Sequence, residues 1–410
     1  MDFRRRYFRR LVLLLTALAL VVAGSRLSSL FAREGLVHPI DYLEPALSLQ
    51  NPELNNGSLQ LTVWENIARL TITQSIFRQS KAAERRKKLL GPSKLPRPDP
   101  YNEETTYQRL LYQFPYDSMD KRPIERNIWQ MWKTTLANED IPYRSFINDW
   151  KNLNPNDNYN LISDKEVYEK IKLHLFRTVP EVVQAFDMMP EPILQHDLGR
   201  YLIVFLKGGV YSDIDTQITR PIDEWYGTDD PNVGFIVGVE EDMNLEDWFR
   251  YMPRRLQFAQ WTLRAKSHHP LLARLIARIV KTTFDAKKKD KLRAYYESFT
   301  GVDKCESIDV MDWTGPGVFT DVVMYYLNIR EDVPQMLELN PDRENQGALV
   351  GPKTVPGQMF DYKLFSGLMA PVVIGDLIVY PKRAWRFSPD GMYGYSIHHF
   401  GGTWKANGES

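Results

Sequence analysis

Cysteine is almost absent from this sequence, because the 410 residues include only Cys305. A single cysteine excludes an intrachain disulfide and a zinc site made of several thiolates. A folded chain of this kind must depend on its hydrophobic core. Material for such a core is present, since 43% of the residues are hydrophobic and 12% are aromatic, a composition typical of a folded domain.

An excess of charge of one sign is also absent. Lysine plus arginine and aspartate plus glutamate each number 52, so the formal net charge is +0. A protein that neutralises a long phosphate backbone needs a surplus of basic residues. We therefore expect no nucleic-acid partner.

The N-terminus joins a cluster of arginines to an apolar run. Residues 1–10 contain five arginines and one aspartate, and the run LVLLLTALALVVAG follows at residues 11–24. Because a spanning helix needs about 20 apolar residues, we predict a signal-anchor helix over residues 11–31, with residues 1–10 cytoplasmic and the rest lumenal. A cleaved signal peptide is the alternative, since small residues occupy positions 22–25.

The remainder of the chain divides at Pro100. Residues 32–100 are polar and end in the basic, proline-rich stretch RRKKLLGPSKLPRPDP, which indicates a lumenal stem. Beyond it, short apolar strands alternate with helical patterns. Residues 101–410 are therefore predicted to form an α/β domain with a largely parallel sheet.

Local patterns predict the elements that precede the most polar strand of this domain. Strands are predicted at residues 127–132 and 159–162. A helix is predicted at residues 164–175, where Ser163 and Glu166 have the spacing of a capping box. A second helix is predicted at residues 191–207, which a pair of glycines closes.

A strand predicted at residues 210–215 ends in two carboxylates, Asp213 and Asp215. On an extended strand these side chains point to the same side and can share a metal ion, while Ile214 points into the core. Hard oxygen ligands suit Mg²⁺ or Mn²⁺, which would bridge the diphosphate of a sugar nucleotide. Ligands of open α/β sheets bind beyond the carboxyl ends of strands. A solvated loop after a strand is the simpler interpretation of a lone Asp-x-Asp.

The Asp-x-Asp lies in a longer block, HDLGRYLIVFLKGGVYSDIDT, at residues 196–216. This block resembles the signature of glycosyltransferase family 32, whose members include fungal Golgi α-1,6-mannosyltransferases. Further blocks resemble family landmarks in the family order, namely FPYDS, RNIWQMWK, LISD, MDWTGPGVFTD and HHFGGTWK. The resemblance therefore extends from residue 114 to residue 405, nearly the whole predicted lumenal domain.

The resemblance implies a GT-A type, Rossmann-like nucleotide-sugar transferase domain and a set of site residues. Asp213 and Asp215 would hold the metal and the ribose-diphosphate part of the donor. Asp197 and Arg200 would bind hydroxyls of the donor mannose, the carboxylate accepting and the guanidinium donating. Tyr211 would line the same pocket.

Other roles implied by the resemblance concern the nucleoside and the metal. Trp132 would stack on guanine, although a core tryptophan is the alternative, and Asp164 would accept hydrogen bonds from the nucleoside unless it only caps a helix. His398 or His399 would add a metal ligand, and adjacent residues on an extended segment point opposite ways, so we expect only one. The spacing to Trp404, which would close over the diphosphate, favours His398.

The function implied by the resemblance is metal-dependent, retaining transfer of mannose from GDP-mannose to N-linked glycans, with Mn²⁺ or Mg²⁺, as initiation of the outer chain. The implied location is the Golgi membrane, as a single-pass type II protein. The alternative is a subunit of a mannan polymerase complex with limited activity of its own, whose partners are other mannosyltransferase subunits. A glycoside hydrolase with two carboxylates is the rival enzyme class. The acceptor, a core N-glycan or a growing α-1,6 chain, stays open.

Other polar groups have simpler interpretations. His268 and His269 precede a proline and an apolar helical run, so they are predicted to start a helix rather than to bind metal. The acids at residues 240–242 follow an apolar stretch and are predicted to be a solvated strand end, with a loop that faces the acceptor as the alternative. Asp312 and the loop at residues 314–317 are candidates for the acceptor side.

Overall fold

In a computed structural model of the chain, a mixed sheet lies at the centre of the described residues. The structure describes residues 95–117, 121–134, 141–295, 307–328, 362–386 and 394–401, which all fall within one unit of residues 72–410. The predicted anchor at residues 11–31, Cys305 and Trp404 lie outside the described residues. Within the described ranges, no helix combines the length and the hydropathy that crossing a membrane requires.

The strands of the described residues belong to one large sheet and two small ones. They are β1 (Asn127–Trp132), β2 (Asn158–Ser163), β3 (Gly209–Ser212), β4 (Thr216–Ile218), β5 (Phe235–Asp242), β6 (Leu256–Phe258), β7 (Thr262–Ala265), β8 (Ala294–Tyr295), β9 (Ile308–Asp309), β10 (Val372–Ile374), β11 (Leu377–Tyr380) and β12 (Ser396–His398). The large sheet has the order β10-β11-β5-β7-β3-β1-β2, with β6 paired to β5. β4 pairs with β12, and β8 pairs with β9.

The large sheet is parallel in part only. β2, β1 and β3 are parallel, and β7 then runs antiparallel between β3 and β5. β5 and β11 are again parallel, and β10 completes this edge in the antiparallel sense. The predicted α/β class is confirmed. The antiparallel direction of β7 could not be predicted, because the hydrophobic pattern of a strand does not show its direction in the sheet.

Helices pack on this sheet and on one another. They are α1 (Glu103–Gln113), α2 (Arg144–Leu153), α3 (Asp164–Leu175), α4 (Pro180–Met188), α5 (Pro192–Lys207), α6 (Pro270–Lys288), α7 (Val310–Trp313), α8 (Pro316–Asn328) and α9 (Tyr362–Phe365), with 3₁₀ turns at Ile222–Glu224, Trp248–Arg250 and Lys382–Trp385. α5 contacts β1, β3 and β7, and α6 packs against α1, α4, α5 and α8. A separate buried cluster joins Ile128 and Ile236 of the sheet to Trp150, Trp225 and Trp385.

Local signals explain the helix that leads to the Asp-x-Asp segment. α5 begins at Pro192, whose fixed φ suits the first helical position, and it ends at Gly208 with φ +63°. A Cβ at Gly208 would lie 1.9 Å from Oε2 of Glu125, and one at Gly209 would lie 2.3 Å from the Asn127 carbonyl oxygen. Both positions therefore require glycine. The predicted helix at residues 191–207 is confirmed to within one residue.

The elements on either side of β2 also follow from the sequence. The observed β1 has the predicted bounds, and β2 is one residue longer than predicted at each end. At the start of α3, the Glu166 N–H donates to Oγ of Ser163 at 3.3 Å, and the Ser163 N–H donates to Oε2 of Glu166 at 2.8 Å. This reciprocal pair is the predicted capping box.

A buried ion pair ties α8 to the segment before β6. Arg254 Nε lies 2.6 Å from Oδ1 of Asp321, and both side chains are 1% exposed. Asp321→Ala removes the carboxylate closest to a buried guanidinium, which then keeps the more distant contact to Asp312. We expect the free energy of unfolding, measured by urea denaturation, to fall by about 3 kcal/mol.

An exposed pair provides the control for this prediction. Asp223 accepts from Arg126 at 2.9 Å, and the two side chains are 59% and 45% exposed. Asp223→Ala is expected to cost roughly 0–1 kcal/mol, because water screens such pairs. Equal losses in the two variants would contradict a stabilising role for the buried pair.

Candidate functional site

The carboxyl ends of β1, β2 and β3 meet at one edge of the sheet, because these strands are parallel neighbours. The Asp-x-Asp segment follows β3 at this edge. β12 pairs antiparallel with β4, and His398 lies opposite Thr216 in the register. This pairing brings a segment from the C-terminal part of the chain next to Asp215.

The two aspartates lie in a turn rather than on a strand. β3 ends one residue before Asp213. The Thr216 N–H and hydroxyl donate to the Asp213 carbonyl at 3.1 and 2.5 Å, and Gln130 Nε2 donates to it at 3.1 Å. The prediction of an extended strand through Asp215 is wrong because these hydrogen bonds stabilise the turn. Ile214 is nevertheless buried.

Three side chains form a group that can hold a cation. Asp213, Asp215 and His398 each offer a ligand atom, and these atoms all lie within 4.8 Å of one another. His398 Nε2 lies 3.1 Å from Oδ1 of Asp215, while its Nδ1 is buried without a hydrogen-bond partner among the described residues. Two carboxylates and an imidazole are suitable ligands for a divalent metal. We call these three residues the metal set.

The carboxylate of Asp215 is kept ionised by its neighbours. Burial acts to raise its pKa, but the hydrogen bond and charge of His398 and the Gly401 N–H together hold the pKa below its usual value. The Gly401 N–H donates to Oδ2 at 2.8 Å. An anionic oxygen is therefore available to a cation near neutral pH.

His399 lies outside the metal set. Its ring stacks on Phe146, with centroids 4.6 Å apart, and its N–H donates to the Asp215 carbonyl at 3.1 Å. The two adjacent histidines of this extended segment thus face different surroundings, as alternation along such a segment requires. Of the two alternatives left open by the sequence, the structure brings His398 to the aspartates.

Exchanging one histidine at a time gives a matched pair of variants. We expect His398→Ala to raise the Kd for Mn²⁺ by about 10–100-fold, because a ligand atom is lost. His399→Ala removes a ring that packs on Phe146, and we expect a change below about threefold. Electron paramagnetic resonance of free Mn²⁺ in the presence of GDP measures both. A larger effect from His399→Ala would contradict this assignment.

Asp197 and Arg200 form a buried pair beside the metal set. Arg200 Nη2 lies 2.9 Å from Oδ1 of Asp197 and 3.4 Å from Oδ1 of Asp213. Both residues are almost inaccessible to solvent, with 2% and 4% exposure. Arg200 Nε has no hydrogen-bond partner among the described residues. The pair is therefore an internal feature of the site and not a surface ion pair.

The protonation of Asp197 depends on this environment. Burial raises its pKa to about 6, although Arg200 and the Thr314 hydroxyl both act to lower it. Thr314 Oγ1 donates to Oδ2 at 3.0 Å, so both carboxylate oxygens have a partner. Asp197 is thus held in a fixed orientation as a hydrogen-bond acceptor.

Tyr211 and His196 connect the metal set to the end of β2. The Tyr211 hydroxyl donates to Oδ1 of Asp213 at 2.7 Å and lies 3.4 Å from Nε2 of His196. His196 Nδ1 lies 3.5 Å from Oδ1 of Asp164, whose side chain is half exposed. Because Ser163 caps α3, Asp164 is not needed for capping.

Trp132 lies at the end of β1, near the same edge. It is half-buried and packs against Ile141, Ile147, Leu161 and Ile214. Part of the residue therefore joins the core and part stays accessible, and its stacking on guanine stays a prediction. Trp404 lies outside the described residues.

Several residues around the site have contacts that the sequence did not predict. Gln130 is buried within the apolar strand β1 and contacts the Asp213 carbonyl, and a polar residue in such a strand is a usable signal. Thr314, assigned to the acceptor side, instead contacts Asp197. Trp261 accepts from the Asp213 N–H through its carbonyl at 2.8 Å. Its location before β7 gives no local signal.

The histidines before α6 have the simpler of their two possible roles. His269 caps α6, since its Nδ1 accepts from the Leu271 N–H at 3.3 Å, so the predicted helix start is confirmed.

The prediction of a solvated strand end at residues 240–242 is wrong. These acids belong to β5, are partly buried and have partners: Glu240 with Gln257 and Trp261, Glu241 with Lys382 and Arg386, and Asp242 with Arg255 and Ser366.

Comparisons with known proteins agree with this geometry. Residues 143–230 match the family described as "Glycosyltransferase sugar-binding region containing DXD motif". The chain is 36% identical to an initiation-specific alpha-1,6-mannosyltransferase of Candida albicans, over 75% of this chain and 78% of that protein. It is 28% identical to the protein of the same name in Saccharomyces cerevisiae, over 73% and 82%. It is 33% identical to the putative glycosyltransferase HOC1 of that yeast, over 68% and 63%.

Proposed function

Since this chain belongs to glycosyltransferase family 32, together with the fungal initiation-specific α-1,6-mannosyltransferases, we propose that it transfers mannose from GDP-mannose to an N-linked glycan in α-1,6 linkage. The observation that carries the proposal is the metal set, which lies directly beside the buried pair of Asp197 and Arg200. The mixed α/β sheet, with the site beyond parallel strands, supports a GT-A type domain.

The metal set would hold a divalent cation in this reaction. Asp213, Asp215 and His398 are its ligands, and the mixture of carboxylates with an imidazole favours Mn²⁺ over Mg²⁺, which prefers oxygen alone. When bound, the ion neutralises negative charge on the leaving diphosphate. Tyr211 fixes Oδ1 of Asp213 through a hydrogen bond of 2.7 Å and so orients this ligand.

The buried pair would position the sugar. Arg200 Nε–H is buried and has no hydrogen-bond partner within the described part of the chain, and in this proposal it donates to a hydroxyl of the donor mannose. Asp197 has both oxygens engaged by Arg200 and Thr314, so it is held as an acceptor rather than aimed as a nucleophile. This arrangement supports front-face displacement with retention, in which positioning supplies much of the rate.

The nucleoside would bind at the ends of β1 and β2. Trp132 offers a partly accessible indole, and Asp164 offers an exposed carboxylate to the ribose or base. The proposal also includes a type II topology in the Golgi membrane, with residues 1–10 cytoplasmic, a helix at residues 11–31 and a stem at residues 32–100. Charge and hydropathy of the N-terminus support it.

A role as a polymerase subunit with limited activity of its own is not favoured. Two of the three relatives described above have names that specify initiation. In this chain the metal set and the pair of Asp197 and Arg200 also lie together in one site. Subunits of a mannosyltransferase complex are therefore additional partners in the proposal and do not replace its activity.

The test uses the full-length chain in detergent with GDP-mannose and two acceptors, a defined Man8 N-glycan and a short α-1,6-mannan. We expect release of GDP and a new α-1,6-linked mannose on the N-glycan, mapped by nuclear magnetic resonance of the product. A chelator should stop the reaction, and Mn²⁺ should restore it. Sugar release from the acceptor without nucleotide would support the glycoside hydrolase and contradict the proposal.

A further inference from the structure

Trp261 contacts both ends of the metal set. Its carbonyl accepts from the Asp213 N–H at 2.8 Å. Its ring stacks on the imidazole of His398, with centroids 4.7 Å apart and planes at 19°. Asp213 follows β3 and His398 ends β12, so the two ligands come from distant segments. Trp261 therefore contacts two ligands that are far apart in the sequence, in addition to the β4–β12 pairing that brings them close.

The ring of Trp261 is itself fixed from two sides. Its Nε1–H donates to Oε1 of Glu240 at 3.0 Å, and the other oxygen of Glu240 accepts from Gln257 Nε2 at 2.7 Å. Trp385 packs against the indole, with ring centroids 5.5 Å apart and planes at 67°. The side chain is 4% exposed. Glu240 and Trp385 together therefore restrict the orientation of the indole ring.

The imidazole of His398 needs such support. A metal-bound histidine is usually oriented by a hydrogen bond from its second ring nitrogen. In this structure Nδ1 of His398 is buried and has no hydrogen-bond partner among the described residues. Two aromatic rings lie against the imidazole, Trp261 stacked on it and Phe400 tilted at 57° with centroids 4.2 Å apart. Because Phe400 is 67% exposed and Trp261 is buried, the stack on Trp261 is the more constrained of the two contacts, while Nε2 faces Asp215 at 3.1 Å.

We propose that Trp261, anchored by Glu240, is a positioning residue that aligns His398 with Asp213 and Asp215 for metal binding. This inference rests on the proposed metal dependence. Trp261 acts on the two ligands in different ways, through its carbonyl on Asp213 and through its ring on His398. Substitution of the side chain therefore disturbs the histidine and spares the backbone contact to the aspartate.

The first test measures Mn²⁺ binding to the full-length chain with GDP, by electron paramagnetic resonance of free Mn²⁺. Loss of outer contacts to a metal ligand typically costs about 10–100-fold in affinity, so Trp261→Leu should raise the Kd by that factor. Trp261→Phe keeps a stacking ring but loses the bond to Glu240, and it should fall between Trp261→Leu and the unchanged chain. It also serves as the milder variant if Trp261→Leu fails to fold.

Trp129 provides the matched control. It is 7% exposed, and its indole N–H donates to a backbone oxygen, the Gly208 carbonyl, at 2.9 Å. Trp129→Phe should leave the Kd for Mn²⁺ within about twofold, although it removes a similar buried hydrogen bond. If Trp129→Phe and Trp261→Phe weaken binding equally, the effect is a general loss of packing and the positioning role is overturned.

Variants of Glu240 separate the hydrogen bond from the charge. Glu240→Gln keeps an oxygen that accepts from Trp261, whereas Glu240→Leu keeps neither acceptor nor charge. A positioning role predicts a Kd within about threefold for Glu240→Gln and a rise of about tenfold for Glu240→Leu. Equal rises in both would show that the negative charge, not the anchoring, supports the metal, and would overturn the proposal.

Kinetics distinguish positioning from damage to the fold. In Trp261→Leu the Mn²⁺ concentration for half-maximal activity should rise with the Kd, while kcat at saturating Mn²⁺ and KM for GDP-mannose stay within about threefold. A loss of kcat that excess Mn²⁺ does not restore would overturn the proposal. Absence of Mn²⁺ binding in the unchanged chain would overturn the metal assignment as well, whereas equal binding by the unchanged chain and Trp261→Leu would overturn this inference alone.

Discussion

Replacement of Asp215 by asparagine is expected to lower kcat/KM for mannose transfer about 10³-fold. The amide would present a neutral oxygen where the metal set now has an anion held by His398 and the Gly401 N–H. A metal that stabilises charge on a leaving group contributes several kcal/mol, and about 4 kcal/mol corresponds to this factor. The measurement is GDP release at saturating Mn²⁺ with a Man8 acceptor.

The control for this substitution is Asp187→Asn. Asp187 is exposed on α4 and has no role in the metal set, so its neutralisation should leave kcat/KM within about twofold. Circular dichroism and Tm of both variants show whether the fold is retained. Transfer by Asp215→Asn at more than a tenth of the normal rate, with the fold intact, would remove Asp215 from the proposed ligands.

The metal set could be predicted from the sequence only in part. The spacing of Asp213 and Asp215 indicated a shared cation, and the structure brings their ligand atoms together. The pattern predicts an extended strand, however, whereas the two aspartates lie in a turn that depends on donors from Gln130 and Thr216. A local pattern cannot reveal a hydrogen bond from another strand. The proximity of the two aspartates was therefore predicted correctly, but the conformation of their backbone was not.

His398 illustrates a different limit. Its ring reaches Asp215 because β12 pairs with β4, although the two residues are 183 positions apart in the chain. Nothing in the residues around His398 predicts this partner, and only the family resemblance placed it at the site. Long-range strand pairing is fixed by the packing of the whole domain, since each short strand would fit several neighbours.

The acids of β5 were misinterpreted for a related reason. Three consecutive acidic residues indicate a solvated segment unless cations or donors from elsewhere meet them. Here the partners come from other parts of the chain, Lys382 and Arg386 for Glu241 and Arg255 for Asp242. By contrast, α5 was predicted almost to the residue, because its apolar stripe and its closing glycines are both local signals.

Arg200→Lys is expected to lower kcat about 10²-fold although the charge is kept. The guanidinium contacts Asp197 and Asp213 through Nη2 and lies 5.2 Å from the ring centre of Tyr211. Its Nε–H, which has no partner among the residues that the structure describes, is the proposed donor to the sugar. A lysine ammonium is a point charge and cannot keep this planar geometry. One charge-assisted hydrogen bond to the sugar is worth about 2.7 kcal/mol, which gives this factor. Steady-state kinetics with GDP-mannose measure it.

Arg126→Lys is the matched exchange outside the site. Arg126 also contacts two carboxylates, Asp157 and Asp223, but its side chain is 45% exposed. Water can replace the lost hydrogen bonds there, so kcat should stay within about twofold. If Arg200 positions the sugar, Arg200→Lys should retain Mn²⁺ binding within about threefold while kcat falls, which separates this role from that of the metal ligands. Parallel losses of Mn²⁺ affinity and kcat would instead assign Arg200 to support of Asp213.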